Sequence, residues 1–323
     1  MAPSPPPAIA LSCPAPTTVA SATGLPVVVP FTTPTATGGT APITTTCAPA
    51  SGVTYPIGST TVTCTAQDAK RQTATCSFRV TVTAPPRLSV TRYIAFGDSI
   101  TEGFPHTIAP AVLDPAPDGS YPAVLQALLR ARYTAQTVSI LDEGIGGELV
   151  ATGVARLPGV LTADAAGALL LMEGANDLNQ YGRLGVDPLV GGLRQMVRSA
   201  RARSMPVFVG TLLPERANGT PARAAHPELV VPTNDAIRSM VAAEGVVLVD
   251  LYAAFGGVAD TVLISSDGLH PTAAGNERIA QTFYAAIRAQ LEPAATPFTT
   301  LFSTVTAAVQ SQAPPVPRAV YHR

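Results

Sequence analysis

Four short segments of the chain hold, in this order, a serine, a glycine-rich loop, an asparagine and an Asp-x-x-His. They are Ser99 in "YIAFGDSITEG", Gly147 in "DEGIGGE", Asn176 in "EGAND", and Asp267 with His270 in "SSDGLHPT". Together these residue types are the parts of nucleophilic acyl transfer. A serine hydroxyl attacks a carbonyl only when a base takes its proton, and histidine does this best when a carboxylate fixes its tautomer. Asp267 and His270 stand three apart just ahead of a helical segment, so one turn of backbone can bring them together. Gly147 and Asn176 can aim a backbone N–H and a side-chain amide at the oxygen that becomes negative during attack. Singly, each segment has a plainer reading as a surface turn, a tight connection, a helix cap or a loop. Jointly, in one order and at separate strand ends, they point to chemistry.

The surrounding sequence supplies a frame for them. "YIAFG", "TVSILDEG", "GALLLMEGAND", "MPVFVGTLLP" and "GVVLVDLY" read as buried strands. "YPAVLQALLRARY" reads as a helix with Val124, Leu125, Leu128 and Leu129 on one stripe. "VDPLVGGLRQMVRSARARS" reads as a helix entered by Asp187-Pro188 as N-cap and first turn. The last helix puts Ile279, Phe283, Ile287 and Leu291 four apart on its inner face. Strands alternating with helices predict a three-layer α/β/α domain built on a parallel sheet. In such sheets, sites form beyond the carboxyl ends of the strands, which is where all four segments fall.

Residues before this region are of another kind. "STTVTCTAQDAKRQTATCSFRVTVT" alternates on both sides of a polar centre, with Val62, Cys64 and Ala66 on one face and Cys76, Phe78, Val80 and Val82 on the matching one. That is a β-hairpin with one buried face. "LPVVVPFTTPTA" adds a strand whose prolines suit an edge. The segment predicts a small antiparallel β-sandwich of immunoglobulin type. Cys13, Cys47, Cys64 and Cys76 all lie in it and the rest of the chain has no cysteine. A zinc site lacks a Cys-x-x-Cys pair and an intervening His, so two disulfides are expected, with all three pairings open. They imply an oxidising compartment.

Both regions resemble known families. "SGVTYPIGSTTVTCTAQDAKRQTATCSFRVTV" is similar to the hyalin-repeat (HYR) module, departing from it at "DAKRQ", where a turn glycine is usual. The resemblance implies an extracellular spacer or adhesion-like module. "IAFGDSITEGF", "DEGIGGELVATGVARLP", "MEGANDL" and "SSDGLHPTAAG" resemble the four blocks of the GDSL esterase/lipases, or SGNH hydrolases. That resemblance implies a flavodoxin-like α/β/α fold and an esterase. It makes Ser99 the nucleophile, His270 the base and Asp267 its orienting partner. Ser99 N–H, Gly147 N–H and Asn176 would form the oxyanion hole, with Gly146 as the alternative to Gly147. Asp142 stands where the family commonly has Asn. No cofactor or metal is called for.

These readings divide the chain into a Pro-rich leader (1–9), an HYR-like domain (10–86), an SGNH hydrolase domain (91–292) and a low-complexity tail (293–323). Lys plus Arg number 20 and Asp plus Glu 21, leaving no electrostatic footprint for nucleic acid. No apolar run is long enough to span a bilayer. "MAPSPPPAIA" lacks a basic stretch followed by an apolar one, so the chain reads as an exported protein in mature form, secreted or periplasmic, without its signal peptide. The expected substrate is a short-chain or acetyl ester, small or polymer-linked, with residues 105–120 shaping the acyl pocket. The alternatives are a lysophospholipase or thioesterase for longer chains, or an adhesion protein with a silent hydrolase fold. The HYR-like domain could tether the enzyme to a surface or polysaccharide. His106 and His226 read as loop residues, His106 near enough to Ser99 to line a rim. Glu173 and Asp177 read as loop braces, Asp98 as structural, and Arg201 and Arg203 as a solvated helix face.

Overall fold

The structure, a computed structural model, describes residues 7–103, 119–164 and 166–293. His106, most of residues 105–120, the start of the leader and nearly all of the tail lie outside the described residues.

The hydrolase region is a five-stranded parallel sheet. Its strands are β1 (Arg92–Gly97), β2 (Ser139–Gly144), β3 (Ala168–Met172), β4 (Val207–Gly210) and β5 (Val247–Val249), arranged β2-β1-β3-β4-β5. This is the flavodoxin-like order, in which the chain reverses direction across the sheet beside β1. The helices are α1 (Ser99–Glu102), α2 (Tyr121–Arg132), α3 (Val150–Ala163), α4 (Ala175–Tyr181), α5 (Val186–Arg201), α6 (Val230–Glu244), α7 (Leu251–Ala254) and α8 (Ala273–Leu291).

Continuous apolar strands are needed where both faces of a sheet are covered. Along β1 and β3, Tyr93, Ala95, Ala168 and Leu170 face one core with α2 and α8, while Ile94, Phe96, Leu169 and Leu171 face a second core with α3, α5 and α6. The expected inner face of α8 is fully used, with Ile279, Phe283 and Ile287 all buried. Tyr121 and Phe283 stack at 5.4 Å between ring centres and join α2 to α8. Shortening any of these buried leucines to Ala would cost about 2–5 kcal/mol.

Among the longer helices, α3 and α6 have no counterpart in the sequence reading, and the short α7 takes Leu251 and Tyr252, which that reading placed in the last strand. A third long helix begins earlier than expected: α5 starts at Val186, capped by Gly185, so Asp187 and Pro188 sit inside its first turn and neither is the N-cap. A 3-10 turn over Gly182–Gly185 runs straight into the helix, so the backbone is already helical before Asp187 arrives. Pro188 is tolerated because first-turn N–H groups have no intrahelical acceptor. Arg201 and Arg203 are not simply solvated. Arg201 donates to the Glu244 carbonyl at the end of α6, and Arg203 donates to Thr162 at 3.2 Å.

The N-terminal region is strand-rich. Its main sheet joins Thr17–Ala20, Thr73–Thr83, Gly58–Gln67 and Thr44–Ala48 in that spatial order, with two further two-stranded pairs. The hairpin has the expected inner face of Val62, Cys64, Ala66, Phe78, Val80 and Val82. Thr17–Ala20 runs parallel to Thr73–Thr83, a departure from the all-antiparallel expectation. The long stretch of chain between them removes the constraint that a hairpin would impose. Prolines 26 and 30 bracket Val27–Val28 and hold that strand to two residues. Where a turn glycine is usual in HYR modules, Arg71 takes the left-handed conformation at φ 64°. The disulfides are Cys13–Cys76 and Cys47–Cys64, which settles the open pairing. Among the described residues no helix is long and apolar enough to cross a membrane.

Candidate active site

β1 ends at Gly97 because nothing larger fits. A Cβ there would lie 2.0 Å from the Met172 carbonyl on β3. Asp98 then caps α1, accepting from Ile100 N–H at 3.0 Å, and Ser99 opens the helix half-buried at the carboxyl edge of the sheet. This turn is the reason a strand stops at Gly-Asp-Ser.

The turn ahead of α8 faces it. Ser99 Oγ lies 2.8 Å from His270 Nε2, and His270 Nδ1 lies 2.6 Å from Asp267 Oδ2. Both are within hydrogen-bond reach, so three residues from opposite ends of the domain form one continuous chain. Asp267 and His270 are 5% and 3% exposed. Burial alone would raise the Asp267 carboxyl. The Leu269 N–H, the Ser265 hydroxyl, the His270 ring and the His270 N–H outweigh it and hold the group down to about 2. Asp267 is therefore a fixed anion beside the imidazole.

The glycine loop follows β2. Ile145 N–H donates to Gly97 O at 3.0 Å, and Glu148 N–H donates to Ile145 O at 3.1 Å, closing a turn over Gly146 and Gly147 against the serine turn. Gly147 has φ +76°, a conformation that side chains other than glycine's rarely adopt. A Cβ on Gly146 would fall 2.7 Å from Glu102 Oε2 and 3.9 Å from Ser99 Cβ, so this loop sits directly beside the nucleophile position. Asn176, in the first turn of α4, donates from Nδ2 to Glu148 O at 3.0 Å. The structure thus gathers all five sequence-predicted site residues, Ser99, Gly147, Asn176, Asp267 and His270, at the carboxyl ends of β1, β2 and β3 and the turn before α8.

Acidic groups crowd beneath them. Asp177 Oδ2 accepts from Val150 N–H at 3.0 Å and braces the start of α3, as expected of a loop brace. Glu173 is different. It is 2% exposed, and neither carboxyl oxygen has a hydrogen-bond partner among the described residues. Burial, with the charges of Asp98, Glu148 and Asp177, pushes it up to about 9. Burial also pushes Asp98 up to about 7, against hydrogen bonds from Ile100 and Gly174 N–H. Asp142, at the family's Asn position, is raised to about 7 by burial and hydrogen-bonds Gly144 N–H at 3.0 Å. His226 lies beside Gly182 and contacts Glu228 at 3.2 Å.

Sequence reasoning missed Arg156. Its guanidinium forks onto Glu148 at 2.6 and 3.0 Å, reaches Glu143 Oε2 at 2.9 Å and Glu143 O at 2.8 Å, and covers the Phe96 ring at 3.9 Å. One cation thereby joins both ends of the glycine loop to the end of β1. No spacing signalled it: Glu148 precedes α3 and Glu143 lies on β2, so only the fold brings both to Arg156. Among the described residues no group of three or more His, Cys, Asp or Glu side chains could hold a metal ion.

A profile of the GDSL-like Lipase/Acylhydrolase family matches residues 95–278, and an HYR domain profile matches residues 4–82. No curated sequence matches the chain. Among solved structures, Axe2, an acetylxylan esterase from Geobacillus stearothermophilus, is similar with a TM-score of 0.52 at 23% identity, covering 61% of this chain and 94% of that one. A lipase/acylhydrolase from Enterococcus faecalis is similar with a TM-score of 0.51 at 22% identity, covering 62% of this chain and 97% of that one. Those likenesses carry the fold, and the profile carries the family. This chain belongs to the GDSL-like lipase/acylhydrolase family, a carboxylic ester hydrolase with an HYR domain ahead of its catalytic fold.

Proposed function

We propose that this protein is an exported serine esterase acting on short-chain or acetyl esters through Ser99, His270 and Asp267. The observation that carries the reading is the unbroken chain from Ser99 Oγ through both ring nitrogens of His270 to Asp267. His270 Nε2 takes the hydroxyl proton as Ser99 Oγ attacks the ester carbonyl. Asp267, kept ionised by its donors, stabilises the imidazolium that forms. The N–H groups of Ser99 and Gly147 and the Asn176 amide bind the oxyanion, with Gly146 N–H as the alternative to Gly147. His270 then protonates the departing alcohol, and water repeats the sequence on the acyl-enzyme.

The two disulfides and the HYR domain support an exported location, and the acetylxylan esterase neighbour makes acetylated polysaccharide the first natural substrate to try. The domain limits 10–86 and 91–292 fit a module that tethers and a module that cuts. Retention of residues 1–86 on insoluble polysaccharide tests tethering, and a spacer role would leave them unbound. The reading as a whole is tested with p-nitrophenyl acetate, butyrate and decanoate. It expects hydrolysis fastest on the shorter chains and abolished in Ser99→Ala. Folded wild type inactive on all three would favour a binding protein with a silent fold.

A further inference from the structure

We propose that Ser265 and Arg216 are positioning residues for the acid–base pair, lengthening the chain of Ser99, His270 and Asp267 by two links. The proposal rests on the triad reading above.

Asp267 uses its two oxygens unequally. Oδ2 faces His270 Nδ1, while Oδ1 accepts from Ser265 Oγ at 2.7 Å, Leu269 N–H at 2.9 Å and His270 N–H at 3.0 Å. A carboxylate turns easily about its last bond, whose torsion is broad and two-fold. Loading one oxygen with three donors stops that rotation and leaves the other aimed at the imidazole. Two of the three donors are backbone groups of the turn. The third, Ser265, is a side chain, and its own N–H donates to His270 O at 2.8 Å. Ser265 therefore grips both members of the pair, the aspartate by its hydroxyl and the histidine by its backbone.

Arg216 in turn holds Ser265. Its guanidinium donates to the carbonyls of Ala259 at 3.2 Å, Ile264 at 3.4 Å and Ser265, and its backbone N–H donates to Gly268 O at 3.0 Å. A planar, permanently charged donor with five N–H groups suits several carbonyls at once, which a lysine ammonium at the end of a flexible stem does not. The segment that carries Arg216 lies hard against the same turn. Thr220 N–H donates to Ser266 O at 2.7 Å, Arg223 N–H donates to Asp267 O at 3.0 Å, and a Cβ on Gly219 would lie 1.9 Å from Asp267 O. The loop after β4 is thus the outer support of the Asp267–His270 turn. The bonds of Ser265 and Arg216 run to the Asp267–His270 turn, so they act on the acid–base pair through its orientation.

The test uses the full chain with Ser265→Ala, Arg216→Ala, Arg216→Lys and the Ser265→Ala/Arg216→Ala double variant. Three readouts are taken: kcat and KM on p-nitrophenyl acetate, the thermal midpoint, and the low-field proton resonance of the His270 Nδ1–H that bonds Asp267. Misplacement of a catalytic group by an ångström can cost about a hundredfold. We expect kcat to fall about tenfold in Ser265→Ala and about ten- to a hundredfold in Arg216→Ala, with KM unchanged and the resonance shifted or broadened. Arg216→Lys should stay impaired, and the double variant should lose no more than the worse single, because both act on one chain of bonds. Wild-type kcat and an unmoved resonance, with only the thermal midpoint lowered, would overturn the proposal, as would fully multiplicative losses. If Arg216→Ala does not fold, Ser265→Ala and Arg216→Lys decide alone. If the wild type itself hydrolyses nothing, the triad reading fails, and the resonance still separates a positioning pair from a structural one.

Discussion

The side-chain amide of Asn176 donates to the backbone carbonyl of Glu148 across 3.0 Å, fastening α4 to the loop that presents Gly147. One residue on, Asp177 fastens the same helix to Val150. The two strand-end segments proposed to hold the oxyanion are therefore tied together, with one amide hydrogen of Asn176 engaged by Glu148 and the other the proposed oxyanion donor. Asn176→Ala should lower kcat by about 10²–10³ with little change in KM. Asn176→Asp should be at least as damaging, since it sets a negative charge where another must form. Steady-state kinetics on p-nitrophenyl acetate checks both.

Behind those two segments the partly buried Arg156 forks onto Glu148, whose side chain is only 1% exposed. Removing one partner of such a pair leaves an uncompensated charge at a cost of about 3–5 kcal/mol. Arg156→Met should lose that much in chemical denaturation. The Arg156→Met/Glu148→Gln double variant should recover part of it, because the fully buried charge is then gone and only the partly exposed Glu143 loses its cation. Equal losses in single and double variants would mean that the stacking on Phe96 matters more than the pair.

Glu173 gives stability a pH dependence of defined sign. In the unfolded chain its carboxyl ionises near the ordinary 4.5, and in the folded protein burial holds the proton until about 9. Between those values the folded state binds the extra proton, so stability falls as pH rises from about 5 through 9. Asp267 acts oppositely: held at about 2, it contributes stability that is lost as pH falls below its ordinary value towards 2. The thermal midpoint should therefore be highest in mildly acidic buffer. Glu173→Gln should flatten the alkaline decline while leaving esterase activity in place. A midpoint that rises towards pH 9 would contradict the burial argument.

The two disulfides close loops of different length, with sequence separations of 63 and 17. Loop-closure entropy assigns them about 4 and about 3 kcal/mol. Cys13→Ser/Cys76→Ser should thus destabilise the HYR domain more than Cys47→Ser/Cys64→Ser. Neither should alter the kcat of the hydrolase fold, and separate unfolding transitions by calorimetry would show this.

The strands and α8 were legible because each has a local signature. Apolar runs such as "ALLLM" suit a strand buried on both faces, and Ser99, Gly147, Asn176, Asp267 and His270, each ordinary alone, are legible as candidates because they fall in one order at separate strand ends. Gly153, Pro158 and Gly159 lower the helix propensity of α3 and blur its pattern. Its helix survives because Val150, Leu157 and Leu161 are buried against the sheet, and tertiary packing outweighs the propensity cost. α6 was obscured in the same way by Pro232 and a β-branched start. Arg156, Ser265 and Arg216 were invisible for another reason. Their partners are backbone carbonyls and carboxylates that only the folded chain brings near, so no spacing announces them.

The most direct measurement is the site of modification by a small organophosphonate, read by mass spectrometry of the intact protein and its peptides. The account predicts one adduct per chain, on Ser99, formed together with loss of esterase activity and absent from both Ser99→Ala and the heat-denatured protein. Esterase activity that survives full modification of Ser99, or an inhibitory adduct on another residue, would contradict it.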